Sequence, residues 1–111
     1  MVGNRKSETK AHSLLKHFIA SILERQGHKI SLEYHLSNGF PNSPIADVFD
    51  HTTGLIYEVQ TKKISWAEKK KVTTYLLHTG VFDVIFIYVT EFPISLSIEN
   101  LYKLLEKKLG I

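Results

Sequence analysis

The acids Asp47 and Glu58 are the residues whose spacing most clearly suggests chemistry in this sequence of 111 residues. Both lie in a predicted β-hairpin with strands at residues 45–50 and 55–62, joined by the loop 51–54. If the residues that flank this four-residue loop close it, Asp47 lies directly across from Glu58. Like charges that face each other on neighbouring strands are destabilising, and a Mg²⁺ ion between the carboxylates would remove the repulsion. The spacing is therefore compatible with a divalent-cation site.

A second interpretation of the same hairpin is a solvated edge with one polar face. Alternate residues of a strand share a face, so Glu58, Gln60 and Lys62 point the same way, and the pairing adds Asp47. In that case Asp47 and Glu58 are surface charges paired with Lys62, and a one-residue slip in register would separate them. Spacing alone leaves the metal site and the polar face open.

The elements before the hairpin are a helix and a strand. The helix is predicted to begin near Ser7, a good N-cap, and to end before Gly27. Residues 28–36 alternate apolar and polar side chains, as in a strand, and residues 38–44 form a turn-rich loop. The apolar residues of the helix recur at helical spacing: Leu14, Leu15, Phe18, Ile19, Ile22 and Leu23.

Two helices and one strand follow the hairpin. Ser65 and Glu68 have the spacing of a capping box, which predicts a helix that runs to about His78 and stops at Gly80. Residues 82–90 form a nearly continuous apolar run rich in β-branched residues, which predicts a central strand. The last helix is predicted from about Ser97, with a buried stripe of Ile98, Leu101, Leu105 and Leu109.

The predicted order is therefore α-β-β-β-α-β-α, an α/β fold. A strand, helix, strand crossover between the second hairpin strand and residues 82–90 makes those two strands parallel, and the other pairs are antiparallel. We expect a mixed four-stranded sheet flanked by helices, with an extra C-terminal helix. Residues 1–111 are too few for more than one domain.

Composition narrows the function classes. The chain has no Cys, which excludes Cys-ligated zinc, disulfide scaffolds and cysteine nucleophiles. Its net charge of +3 permits a nucleic-acid partner without requiring one. No apolar run reaches the ~18 residues of a membrane span. Residues 1–10 are polar and lack the apolar segment of a secretory signal, so we expect a cytoplasmic protein without membrane contact.

The acids and the residue two places after Glu58 form a recognisable motif. Asp47, followed by Glu58-Val59-Gln60 on the next strand, resembles the E-x-Q variant of the PD-(D/E)XK nuclease superfamily, whose restriction-endonuclease-like core has the order α-β-β-β-α-β. The sequence YEVQTKKIS at 57–65, with Tyr75 after it, is similar to the competence-protein nuclease-like branch. That branch also favours a His and a Lys one turn apart in the first helix, which His12 and Lys16 match.

The resemblance implies a nuclease that uses Mg²⁺, with Mn²⁺ as a substitute, to hydrolyse phosphodiester bonds in DNA. It implies that Asp47 and Glu58 hold the metal together with the carbonyl of Val59, and that Glu8 completes the catalytic set. Gln60 stands where the superfamily usually has its catalytic Lys, and in such variants a helix Lys can fill the role. Junction resolvases of this superfamily are homodimers, so the resemblance also implies a possible homodimer.

The first helix offers two candidates of its own. Glu8 and His12 lie along the border of the apolar stripe and are expected to face the sheet. For Glu8 the alternative is a favourable interaction with the helix N-terminus. For His12 the alternative is a half-buried side chain with a local hydrogen bond.

Positive charges cluster after the hairpin. Lys69 and Lys70 are predicted one turn into the second helix, near the acids, where they could neutralise phosphates. A solvated helix face is the alternative. Trp66 and Tyr75 of this helix could lie in the core or face the DNA, and the core is favoured. The cluster comprises Lys62, Lys63, Lys69, Lys70 and Lys71.

Taken together, these residues predict a metal-dependent DNA endonuclease or exonuclease that recognises a DNA structure such as a junction or an end. The alternative is a catalytically inactive nucleic-acid-binding or assembly module on the same fold, which the replacement of the usual Lys by Gln60 favours. In the active form, Lys62, Lys69 or Lys70 would supply the missing positive charge. The predicted DNA contacts are Lys62, Lys63, Lys69, Lys70, His12 and Lys16.

Overall fold

A computed structural model of the chain describes residues 9–36, 44–61, 65–93 and 95–111. These residues form an α/β fold with a four-stranded sheet and three α-helices, in the order that the sequence predicts. A 3-10 turn at Val89–Glu91, which the sequence does not predict, follows the last strand. The elements are α1 Lys10–Arg25, β1 Ile30–His35, β2 Ile45–Asp50, β3 Leu55–Gln60, α2 Ser65–Leu76, β4 Asp83–Tyr88 and α3 Ile98–Leu109.

The sheet is mixed, with the strand order β1-β2-β3-β4. The first two pairs are antiparallel and β3 pairs with β4 in parallel, as predicted. Val48 pairs with Tyr57 and Asp50 with Leu55, which confirms the predicted hairpin register. Gly54 ends the hairpin loop at φ +79°, and a Cβ there would lie 2.8 Å from the carbonyl oxygen of Gly80. Only glycine suits this close approach.

The two faces of the sheet carry separate apolar cores. Helices α1 and α3 cover one face, where Leu15, Leu105 and Val59 are buried together. Helix α2 covers the other, where Tyr75 packs with Ile56 and other apolar side chains of the strands. Because both faces are covered, β3 is buried on both sides and can carry a polar residue only where a partner meets it.

Helix α1 begins two residues later than the sequence predicts. Its N-cap is Thr9, whose side chain accepts a hydrogen bond from the backbone N–H of His12. Ser7 lies outside the described residues. Helix α2 begins at Ser65, the first residue of the predicted capping box. The side chain of Ser65 is outside the described part of the structure.

Three predictions about position or burial are wrong. Strand β4, predicted to be central, lies at the edge of the sheet. It is apolar because helices cover both of its faces: Ile87 packs with α1 and α3, and Val84 packs with α2. Ile98 in the first turn of α3 is 67% exposed, and burial along that helix starts at Leu101. Trp66 is 71% exposed, in contrast to Tyr75, which is buried as predicted.

Among the described helices, none combines the length and apolar character that crossing a bilayer requires.

Candidate functional site

The carboxylates of Asp47 and Glu58 meet where the β2–β3 ladder ends. The residue pairing of the two strands stops at Val48 and Tyr57. Beyond that pair, the N–H of Asp47 donates to Oε2 of Glu58 at 2.9 Å, and the N–H of Val59 donates to Oδ2 of Asp47 at 2.9 Å. Each carboxylate therefore takes the place of a main-chain carbonyl on the opposite strand. The predicted opposition of the two acids is present, but their side chains turn into the gap between the strands.

Glu58 is almost fully buried and meets a cation from α2. Its side chain is 3% exposed, and Lys71 Nζ donates to its Oε1 at 2.8 Å. Burial raises the pKa of Glu58, and the charge of Asp47 raises it further, whereas the Lys71 ammonium lowers it. Burial and repulsion outweigh the ammonium, so the ionised form of Glu58 is held at an energetic cost.

Tyr75 closes the α2 side of the site. Its hydroxyl donates at 3.1 Å to the carbonyl oxygen of Ile45, the first residue of the strand that carries Asp47. Burial raises the pKa of Tyr75 well above its ordinary value, and the negative charges of Glu58 and Asp47 act in the same direction. Tyr75 is therefore a neutral hydrogen-bond donor at every physiological pH.

On the opposite face, α1 approaches the same level of the sheet. His12 Nε2 lies 3.5 Å from Oδ2 of Asp47, and both side chains are mostly buried. One turn later, the buried ammonium of Lys16 pairs with Glu33 of β1. Leu32 pairs with Val48 and Tyr34 with Ala46, so Glu33 of β1 lies opposite Asp47 on the neighbouring strand β2. Glu33 has φ +51°, a conformation that non-glycine residues rarely adopt.

These contacts arrange three acids on three neighbouring strands, each with a cationic or ionisable partner from a helix. Glu33 meets Lys16, Asp47 meets His12, and Glu58 meets Lys71. The irregular backbone at Glu33 accompanies a change of face, since Leu32 packs against α1 and α3 whereas Tyr34 packs with the α2 core. The sheet is thus locally distorted at the level of the carboxylates.

Two buried polar atoms near α2 have no hydrogen-bond partner within the described part of the chain. They are Nε2 of Gln60 and Oε2 of Glu68. Gln60 lies two residues after Glu58 on β3, and Glu68 lies one turn before Lys71 on α2. Since buried polar groups are normally paired, an unpaired amide two residues after Glu58 on the same strand marks a place where a ligand or water is expected.

The predicted site residues divide into three sets. Asp47, Glu58 and the Val59 peptide are in direct contact, His12 is beside them, and Gln60 is on the same strand. Among the predicted DNA contacts, the Lys16 ammonium is buried against Glu33, which argues against its contact with a phosphate. Lys69 and Lys70 are exposed on α2, as a phosphate contact requires. Glu8, Lys62 and Lys63 lie outside the described residues.

Sequence reasoning placed Lys71 only within the lysine cluster and gave Glu33 no role. For Tyr75 it favoured the core over a DNA-facing position. Helical periodicity offers a signal for two of them. Glu68, Lys71 and Tyr75 follow the i, i+3, i+7 spacing of one helix face, and this face meets the sheet because Tyr75 is buried. Glu33 gave no such signal, because it occupies a polar position in an alternating strand.

The residues present fit a hard divalent cation in part. Within the described ranges, no group of three or more His, Asp or Glu side chains could hold a metal ion. Two carboxylates nevertheless meet here, and no described residue donates a hydrogen bond to Oδ1 of Asp47. Mg²⁺ is commonly held by one or two carboxylates and completed by water. The described residues therefore supply two of the carboxylates that Mg²⁺ commonly takes, and the Lys71 ammonium contributes one positive charge beside Glu58.

Comparison of the chain with family models, with curated proteins and with solved structures gives no match. Function therefore has to be inferred from the chemistry of this site.

Proposed function

We propose that this protein is a Mg²⁺-dependent nuclease that hydrolyses phosphodiester bonds in DNA. The observation that carries the proposal is the pair Asp47 and Glu58, buried and mutually repelling at the point where two strands separate. A buried carboxyl group such as Glu58, whose pKa is raised by burial and by a neighbouring carboxylate, is typical of functional sites. The α-β-β-β-α-β order of the elements also supports a restriction-endonuclease-like fold.

Four side chains and one main-chain carbonyl of this chain would take part in the reaction. Asp47 and Glu58 would hold the ion, with the Val59 carbonyl as a further oxygen. A bound Mg²⁺ ion would polarise the phosphate and lower the pKa of a bound water. Gln60 has an orphaned Nε2 with which to orient a water or a phosphate oxygen. His12 is close enough to Asp47 to fix its orientation.

Lys71 is the lysine that can replace the positive charge missing at Gln60. Its ammonium contacts Glu58, whereas Lys69 and Lys70 are exposed on α2. The Lys71 side chain is 42% exposed, so it can turn from Glu58 toward a phosphate oxygen. In such a position a fixed positive charge stabilises the developing negative charge of the transition state. Lys69 and Lys70 would instead hold the DNA backbone.

Cleavage assays with Mg²⁺ or Mn²⁺ on single-stranded, duplex and branched DNA test the proposal. Asp47→Asn and Glu58→Gln keep the side-chain shape, and each should reduce cleavage by more than about 100-fold. Glu99→Gln, an exposed acid of α3, is the matched control and should cleave like wild type. Undiminished cleavage by either folded site variant would exclude the metal assignment.

A pair of lysine variants tests the role of Lys71. Lys71→Met keeps the aliphatic chain and removes the charge, and we expect cleavage to fall by about 100-fold with a smaller change in DNA affinity. Lys107→Met makes the same change at an exposed position of α3, on the other side of the sheet. If both variants cleave equally well, the charge at Lys71 has no part in the reaction.

A second candidate function is a DNA-binding or assembly module on this fold without catalysis. The ion pair between Lys71 and Glu58 favours it, because that ammonium already neutralises one carboxylate. The same substrate panel separates the candidates: such a module binds DNA and leaves every substrate intact with either metal.

A further inference from the structure

Trp66 is the only tryptophan of the chain, and it is exposed near the carboxylate site. It lies in the first turn of α2, and 71% of its surface is exposed. A large aromatic side chain on the surface loses its hydrophobic stabilisation unless a partner covers it. Single exposed apolar residues are common, so Trp66 gains meaning only from its surroundings.

Those surroundings form a concave pocket of about 380 Å³. Its lining is mostly apolar, and its volume lies in the range of small-ligand sites. Two lysines, Lys70 and Lys71, contribute the charged groups of the wall. The lining residues are Pro44, Trp66, Lys70, Lys71, Thr74 and Tyr75.

The pocket and the carboxylate site share residues. Lys71 lines the pocket and donates to Glu58, and Tyr75 lines it while its hydroxyl donates to the carbonyl of Ile45. A ligand in the pocket would therefore contact Lys71, which also contacts Glu58 of the proposed reaction centre. None of the described residues that line the pocket is acidic, and the two lysines give its wall a positive charge that complements an anion.

We propose that this pocket binds one unpaired nucleotide of the DNA, with the base against the indole of Trp66 and the adjacent phosphate at Lys70. An aromatic face with neighbouring cations suits a base joined to a phosphate, because stacking and charge neutralisation act on the same ligand. Bases inside a duplex are already stacked and cannot enter. The proposal rests on the proposed action on DNA and names its substrate class: single strands, or structures with unpaired nucleotides.

Fluorescence of the single tryptophan measures this contact directly. The full chain is titrated in chelator with a dT oligonucleotide, with an abasic strand of equal length and with a blunt duplex. We expect the dT strand to quench Trp66 and the other two to quench little. Quenching of equal size by the abasic strand would overturn the proposal, because it would reveal a phosphate site without base stacking.

Variants then test affinity without relying on fluorescence. In anisotropy titrations with a labelled dT strand, Trp66→Ala should weaken binding by about 10-fold and Trp66→Phe by less, because Phe still stacks. Duplex affinity should change little in both. Leu77→Ala removes another large side chain, 81% exposed and just beyond α2, and serves as the matched control. If Trp66→Ala binds the dT strand as wild type does, the pocket holds no base.

The outcome is separable from that of the proposed nuclease activity. Base binding without cleavage in Mg²⁺ or Mn²⁺ would reject the nuclease and retain the pocket. Cleavage that is equally fast for wild type and Trp66→Ala on single strands, without dT quenching, would retain the nuclease and reject the pocket.

Discussion

At the turn end of the β2–β3 hairpin, the fully buried carboxylate of Asp50 has a complete set of partners. Its Oδ1 accepts from the N–H groups of Thr52 and Thr53, at 2.9 and 3.2 Å, and its Oδ2 lies 2.6 Å from Nδ1 of His28. These partners hold the four-residue loop in shape. Asp50 therefore acts as a structural cap, in the manner of aspartates that bind the backbone of turns.

At the open end of the same hairpin, burial has a different consequence. Glu58 is nearly as buried as Asp50, but its neighbours include a second carboxylate, and the pKa of Glu58 is raised. The adjacent Gln60 amide is left without a partner in the described part of the chain. At this end the buried polar groups are therefore not all paired, although both ends belong to the same two strands.

The difference between the two ends separates a structural acid from a functional one. A buried carboxylate whose oxygens are all satisfied contributes to the stability of the fold. A buried carboxylate that faces another negative charge costs stability, and such a cost is retained where function requires it. Substitutions at the two ends should therefore have opposite effects on stability.

The largest expected effect is at the turn end. Asp50→Ala should lower the free energy of unfolding by about 3 kcal/mol, because two backbone N–H groups of the loop and His28 lose their acceptor. Urea denaturation measures the change. Asp83→Ala, an exposed acid at the start of β4, is the matched control and should stay within about 0.5 kcal/mol. A loss below about 1 kcal/mol at Asp50 would contradict the structural role.

Metal should reveal the next largest effect, at the open end. Wild type in Mg²⁺ at 100 times its Kd should gain about 2.7 kcal/mol of stability, and Asp47→Asn should gain little. Melting curves with and without Mg²⁺ or Mn²⁺ measure the gain. Asp50→Asn, if it remains folded, should respond to the metal as wild type does. An unresponsive wild type would reject the carboxylates as a metal site.

In chelator the order should reverse, by a smaller amount. Asp47→Asn removes the repulsion on Glu58 and should raise stability by about 1 kcal/mol, or roughly 4 °C or more in Tm. Because the pKa of Glu58 is raised, wild type loses stability as the pH rises from the usual carboxyl range, about 4.3, through that raised pKa. The advantage of Asp47→Asn should therefore shrink as the pH falls.

A second comparison, made in protein that carries Glu58→Gln, tests whether Glu58 is the group that titrates. His12, Lys71 and Tyr75 also face the two acids. When Glu58→Gln is compared with the double variant that adds Asp47→Asn, the stability difference should not vary with pH between about 4 and 6. An equal pH dependence in both backgrounds would assign the titration to another group.

The smallest effect concerns the exposed lysines. Replacing Lys69 and Lys70 with Ala should weaken binding to all DNA sequences and reduce the slope of log affinity against log salt by about one unit for each lost contact. Binding titrations at several salt concentrations measure the slope. Lys107→Ala on α3 is the control, and an unchanged slope in the Lys69 and Lys70 variant would assign both lysines to a solvated helix face.

The sequence by itself determined the order of the elements, the hairpin register and the opposition of Asp47 and Glu58. Each depends on local information: strand alternation, a four-residue loop with glycine at its end, and helix caps such as Ser97, whose side chain accepts from Asn100. A register that follows from the loop also fixes which residues face each other. For this reason the acids could be predicted without knowledge of how the helices pack.

Only the tertiary structure decided which acid each cation reaches. Helical spacing separates Lys71, on the face of Tyr75, from Lys69 and Lys70, but the packing of α2 on the sheet brings the Lys71 ammonium to Glu58. The burial of Lys16 against Glu33 depends in the same way on how α1 lies on β1. The exposure of Trp66 and the edge position of β4 also follow from packing. These features depend on distances between elements far apart in the chain, which residue spacing does not encode.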